Sequence, residues 1–131
     1  MDKHATATFE ITGWEETAFD EPSEGPKLLR ATVRKTFRGE VSGESTAELL
    51  MCQAADGSAG YVAMERVVGR VGDRSGSFVV QHGATRDTAT SATFGSVVPG
   101  SGTDNLRGIR GEATYRHDEH GATFTLDYAI E

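Results

Sequence analysis

Glu65 and His82 are residue types that carry protons near neutral pH, and the chain between them is built to fold back on itself. Gly72-Asp73-Arg74-Ser75-Gly76 is turn chemistry set between two apolar, β-branched runs, and it predicts a hairpin. With Asp73 and Arg74 at the tip, Val80 faces Val67, Phe78 faces Gly69 and His82 faces Glu65. With Gly72 and Asp73 at the tip, His82 becomes the diagonal neighbour of Glu65, still on the same face of the sheet. Only a bulge or an odd loop would part them. On an apolar wall, burial would push a carboxyl pKa up, and the charge of each partner would depend on the other. Glu65 and His82 are therefore the candidate catalytic pair for proton transfer. A satisfied structural pair accounts for the same pattern, because buried polar groups need partners whatever they do.

Candidate ligand contacts lie close by in this arrangement. Tyr61 and Val80 belong to the same two strands. Tyr115 and Tyr128 face inward from the last hairpin, if the turn Asp118 to Gly121 holds an even loop that sets Tyr115 and Ala113 against Phe124, Leu126, Tyr128 and Ile130. A buried tyrosine offers a ligand both ring surface and a hydroxyl.

Other chemistry-bearing residues carry less. His117-Asp118-Glu119-His120 has metal-ligand types but sits at a hairpin tip, with no third and fourth ligand held nearby, so no metal is expected. Pro99-Gly100-Ser101-Gly102-Thr103 has glycines that could present amides to a phosphate, but it lacks the lysine of a P-loop and no helix follows. Ser101 is not in a nucleophile elbow, and a lone strand cysteine such as Cys52 reads as a small apolar filler.

These residues must be positioned by strands. Ala5, Ala7, Phe9 and Ile11 alternate with Thr6, Thr8, Glu10 and Thr12, the period of a half-buried strand. Trp14 to Gly25 is acidic, contains Pro22 and Gly25, and reads as a long exposed loop. From Lys27, Leu29, Ala31, Val33 and Phe37 alternate with Arg30, Thr32, Arg34, Thr36 and Arg38 up to Gly39. Glu44 to Ala54 has helix formers but lies between glycines and reads as a strand. Further strands are expected at 61–71, 77–84, 89–98, 112–117 and 123–130. Sixteen glycines against three prolines suit many short strands and tight turns. Phe9, Val33, Val80 and Leu126 should share one interior. The expected fold is all-β, a single antiparallel barrel of about eight strands spanning residues 1–131 as one domain.

The formal net charge of −7 argues against nucleic acid, whose affinity comes from clustered Lys and Arg. Glu10 to Glu24 is locally acidic, while Lys27, Arg30, Arg34, Lys35 and Arg38 form a basic run; both read as solvated faces. One cysteine permits no internal disulfide, and no apolar run has the length to span a bilayer. A cytoplasmic protein with no membrane partner is the expectation.

The blocks Gly69-Arg70-Val71-Gly72-Asp73-Arg74-Ser75-Gly76-Ser77-Phe78, Gln81-His82-Gly83 and Val98-Pro99-Gly100-Ser101-Gly102-Thr103, with Leu106, Gly108 and Gly111, resemble a bacterial family known only as domain of unknown function 3224. The 61–66 strand and Leu126-Asp127-Tyr128 extend the likeness over nearly the whole chain. The resemblance implies a barrel like that of allene oxide cyclases and dirigent-type proteins, whose cavities hold hydrophobic small molecules and in some members steer cyclisation without a cofactor. It transfers no catalytic residue. The expected function is binding of a hydrophobic small molecule, with cofactor-independent isomerase, cyclase or lyase activity as its catalytic form. The alternative is a non-catalytic carrier or interaction domain with a filled barrel, where Val62, Met64 and Val68 on the outer face meet another subunit of a homo-oligomer.

Overall fold

Period-two patterning runs almost the full length of the chain, and the computed structural model, which describes residues 2–131, turns it into eight strands. These are β1 (Lys3–Asp20), β2 (Lys27–Gly39), β3 (Val41–Gln53), β4 (Ala59–Val71), β5 (Arg74–Arg86), β6 (Ser91–Val97), β7 (Ile109–Asp118) and β8 (Gly121–Ile130), with one 3-10 turn at Asp104–Leu106. Each strand pairs antiparallel with its chain neighbours, and β1 pairs with β8 to close the barrel. Closure covers most of the sheet edges that invite aggregation, the β6–β7 seam being held by one pair, Ser96 with Glu112. Among the described residues, no helix is long and apolar enough to cross a membrane.

The acidic segment from Trp14 is the main departure from the sequence reading. It is not a loop to Gly25: β1 continues to Asp20, and only residues 21–26 connect it to β2. A register shift between Ile11 and Gly13 then sets Trp14, Glu16 and Ala18 opposite Val33, Ala31 and Leu29, on the inner face. Pairing with β2 satisfies the backbone, and the outward Glu15 and Glu10 reach Arg34 and Arg38. Acidic composition thus reported a solvated strand rather than a loop.

The ends of the barrel differ. At the narrow end Phe37, Phe78, Phe124, Leu106 and Ile109 are fully buried. A row of directly paired glycines, Gly43, Gly69 and Gly76, crosses β3, β4 and β5 with φ of 136°, 157° and 158°, letting three strands coil together. Pro99 to Thr103 has a structural task here. Beyond the end of β6 this stretch supplies partners to β5: Thr103 N–H donates to Ser77 O, Ser77 N–H donates to Thr103 Oγ1, and Val79 N–H donates to Ser101 Oγ. At the wide end β1 to β5 run on past the region where β8 pairs with β1, since that pairing stops at Thr8 and Thr123. The wide mouth is therefore walled mainly by β1 to β5.

The interior is apolar at both ends and polar between them. One cluster, with Phe37, Val67, Phe78, Val80, Phe124 and Leu126, fills the narrow end, and Phe9 packs on it. A second, with Ala31, Val33, Ala47, Leu49 and Ala63, lies toward the mouth, and Met51 and Tyr61 pack on it. Outside, Val62, Met64 and Val68 are about half exposed, as the alternation of β4 requires, and Leu50 beside them is likewise.

Candidate functional site

On β2, β3, β4 and β5 the inward position at the junction of the two clusters is polar. Lys35 falls between Val33 and Phe37, Ser45 between Gly43 and Ala47, Glu65 between Ala63 and Val67, and His82 between Val80 and Ala84. The β4–β5 hairpin takes the second of the two registers: Val71 pairs with Arg74, Glu65 with Val80 and Ala63 with His82. Gly72 and Asp73 form the tip, and His82 is the diagonal neighbour of Glu65. Ser45 is in turn diagonal to Glu65 across β3–β4, so strand tilt brings the polar positions to one level. Tyr115 arrives from β7, whose hairpin with β8 pairs Tyr115 with Phe124 and Ala113 with Leu126 as the even loop requires.

Glu65 has no exposed surface, and its carboxylate is surrounded by four side chains. Ser45 Oγ donates to Oε2 at 2.5 Å. Oε1 accepts from Lys35 Nζ at 3.1 Å and from Tyr115 OH at 2.9 Å, and lies 2.9 Å from His82 Nε2. A carboxylate only accepts, so His82 Nε2 carries a hydrogen. In the neutral ring Nδ1 is then an acceptor, and its partner at 2.9 Å is the hydroxyl of Tyr61, which donates. The result is a chain, Tyr61 OH to His82 to Glu65, in which each group fixes the orientation of the next. Lys35 Nζ also sits over the rings of Tyr115 and Phe9, 4.6 and 4.9 Å from their centroids. The His82 ring lies against Tyr115 at 4.3 Å between centroids. Among the described residues, no buried polar side-chain atom lacks a hydrogen-bond partner.

Burial pushes the pKa of Glu65 up. The hydrogen bond from His82, the charge of Lys35 and the hydrogen bond from Ser45 together outweigh it and bring the group down to about 2. Burial and the negative charge of Glu65 raise Tyr61, and the same causes plus the hydrogen bond to Glu65 hold Tyr115 well above the ordinary phenol value. Both tyrosines are therefore neutral donors near pH 7.

A pH effect on stability follows. The folded-state pKa of Glu65 lies below its ordinary value of 4.5, so its stabilisation is fully present above that value and is lost as the pH falls toward about 2. The gap corresponds to roughly 3 kcal/mol. Urea unfolding at several pH values across this window should show wild type losing about that much more stability than Glu65→Gln. Parallel curves for the two proteins would mean the carboxylate is not held ionised by the cluster.

At the mouth a hollow of about 450 Å³ is lined by Met51, Gln53, Tyr61, Ala84, Arg86 and Ser91, with Ala54, Gly57 and Ser58 of the β3–β4 loop along one side. Tyr61 is the one member of the polar chain that borders it. Glu65 and His82, the candidate catalytic pair, are enclosed at 0 % and 2 % exposure. Val80, opposite Glu65, is buried in the narrow-end cluster and faces no open space. Tyr128 is not brought to the site: its partners across the sheet are Lys3 and Gly111, and its hydroxyl lies near Gly72 at the other end of the barrel. A larger groove of about 790 Å³ runs over the outer face past Arg34, Met64, Arg66 and Val68. Lys35 and Ser45 border that groove, but their polar atoms are engaged with Glu65.

Lys35 and Ser45 are the members that the sequence reading missed. Lys35 belongs to a basic run that reads as solvated, yet it is buried. The signal was its phase, an odd-numbered position within the apolar set Leu29, Ala31, Val33 and Phe37. Ser45 shares phase with Ala47 and Leu49, and a small hydroxyl there gives no sign by itself.

Architecture and site together define a closed, eight-stranded antiparallel barrel with a buried, fully partnered carboxylate at its waist. The family model "Protein of unknown function (DUF3224)" matches residues 5–128, and the chain belongs to that family. A solved structure of a protein of unknown function from the DUF3224 family of Shewanella oneidensis MR-1 is similar to it, with 32 % identity, 98 % of each chain covered and a TM-score of 0.85. No curated protein matches the sequence.

Proposed function

We propose that this barrel binds a largely apolar small molecule in the hollow at its mouth and moves a proton on it through Tyr61, His82 and Glu65. One observation carries the reading. The polar chain begins at a buried, ionised carboxylate and ends at the phenol that borders the hollow. The arrangement follows the logic of an oriented base: a carboxylate fixes the tautomer of an imidazole, and the imidazole accepts from a hydroxyl facing the ligand.

A balanced step can be written from these groups alone. A ligand bearing an acidic C–H or O–H gives its proton to Tyr61 Oη as the Tyr61 proton passes to His82 Nδ1. Tyr61 stays neutral, the ligand becomes an anion, and the imidazolium is held beside the Glu65 carboxylate, its positive charge balanced overall by the ligand anion. Return of the proton to a different ligand atom completes an isomerisation, with no electrons transferred. Glu65 and His82 thus act through Tyr61, and burial of Glu65 favours a positioning role for it over direct contact. The allene oxide cyclase-like character implied by the sequence resemblance fits this reading, in which an apolar site holds a reactive conformer.

A non-catalytic reading draws on a specific feature too. Glu65 is fully satisfied by protein partners, as a purely structural cluster would be, and Leu50, Val62, Met64 and Val68 leave an apolar stripe outside for a partner subunit. One experiment separates the two. A panel of enolisable β-dicarbonyl compounds is incubated with the protein in D2O, and exchange at the acidic carbon is followed by proton NMR. The catalytic reading expects at least one member to exchange faster with wild type, and the gain to fall at least tenfold in Tyr61→Phe and in His82→Gln. Equal rates with wild type and both variants across the panel would leave the carrier or interaction reading.

A further inference from the structure

We propose that the ligand taken by the mouth hollow is an apolar molecule carrying a single carboxylate, and that Arg86 is the residue that anchors it. The inference rests on the hollow being a ligand site, as proposed above, and adds the class of molecule.

Arg86 is the last residue of β5. It pairs with Ala59, two positions beyond the pair of Ala84 with Tyr61, so it lies on the inner face as the diagonal neighbour of Tyr61. It borders the hollow together with Met51, Tyr61 and Ala84, whose surfaces are largely apolar. Four other arginines reach carboxylates: Arg30 meets Glu48, Arg34 meets Glu15, Arg38 meets Glu10 and Arg110 meets Glu131. Among the described residues, Arg86 makes no ion pair and no side-chain hydrogen bond, as is also true of Arg66, Arg70, Arg107 and Arg116, and of these five it is the one that borders the hollow. The adjacent acid does not serve it. Asp87 turns its carboxylate into its own loop, where it accepts from the N–H groups of Ala89 and Thr90 and from the Thr90 hydroxyl. Asp56, in the loop on the other side of the hollow, is likewise occupied by the N–H of Ser58.

A guanidinium with free donors beside an apolar wall matches a planar carboxylate, which it can hold by two parallel hydrogen bonds. Asp56 directly precedes Gly57 and Asp87 directly follows Arg86, both of which border the hollow, so their charges disfavour a second negative charge on the ligand and a monoanion is preferred. With the carboxylate at Arg86, the apolar body lies over Met51 and Ala84 and its inner end reaches Tyr61.

The test is calorimetric titration with matched pairs of short arylalkyl probes, phenylbutyrate against phenylbutanol and phenylpropionate against phenylpropanol. Wild type should bind each carboxylate at least tenfold more tightly than its alcohol. Arg86→Gln should bring the carboxylate to the level of the alcohol and leave the alcohol unchanged, while Arg86→Lys should retain part of the difference. Arg86 is exposed, and an unshifted melting temperature checks that the variants fold. If carboxylate and alcohol bind wild type equally well, the anion assignment is wrong while the hollow remains a ligand site. If neither binds at millimolar concentration, both readings are overturned.

Discussion

Glu65→Leu should destabilise the protein by about 3–5 kcal/mol, the cost expected when one member of a buried ion pair is removed and its partner is left unpaired. The substitution leaves the Lys35 ammonium enclosed with its counter-ion gone, and it strips acceptors from Ser45, Tyr115 and His82 Nε2. Lys35 borders the outer groove, but only 8 % of it is exposed and its ammonium lies over two aromatic rings, so turning toward water would cost it those contacts. The loss should therefore come from the orphaned charge more than from missing volume. Lys35→Met combined with Glu65→Leu should recover more than half of it, because paired apolar replacements remove the desolvation cost along with the attraction. Urea denaturation of the two single variants and the double variant measures the coupling. A loss under about 1 kcal/mol for Glu65→Leu, or no recovery in the double variant, would show that Lys35 does not depend on Glu65.

Gly69→Ala should be comparably damaging at a site outside the buried polar cluster, with a loss of roughly 2–5 kcal/mol from backbone strain and overpacking together. A Cβ on Gly69 would lie 2.0 Å from Ser42 O and 2.8 Å from Gly43 Cα, both backbone atoms, and φ there is +157°. Gly43 is its direct partner and is equally constrained, with a Cβ placed 2.2 Å from Val68 O. The strands approach so closely that no side chain fits between them. Gly57 is the control: its φ is +91°, but a Cβ there meets nothing within 4 Å, so Gly57→Ala should cost only about 1 kcal/mol from conformational strain. Equal thermal shifts for the two variants would mean that the glycine row is not what lets the narrow end coil.

The proton-transfer and anion readings share a hollow but not their residues. Tyr61→Phe removes the hydroxyl that His82 accepts from and leaves Arg86 in place. Arg86→Gln does the reverse. A protein that binds the arylalkyl carboxylates yet exchanges no protons is a carrier with an anion anchor, and the two sets of measurements distinguish that case directly.

Strand identity was legible because it is a local property. Alternation in Leu29 to Phe37 and in Ala63 to Val67 needs only the period of a pleated chain facing a core on one side, and the hairpin signals around Asp73 and Glu119 needed only turn chemistry. The placing of Glu65 and His82 on one face followed from the same parity, which survives a shift of the turn. Lys35 could have been read from its phase but was hidden by its charge. Trp14 to Asp20 was masked by acidity, since composition reports solvent and not pairing.

What the chain determined by itself is the face to which each side chain belongs, because the period of two acts residue by residue. Only the tertiary structure decided which inward polar groups meet. That depends on strand tilt and on the closure of β1 against β8, long-range quantities that no local pattern contains. It brought Lys35, Ser45, Glu65, His82 and Tyr115 to one level, linked Tyr61 to the mouth, and left Tyr128 at the opposite end.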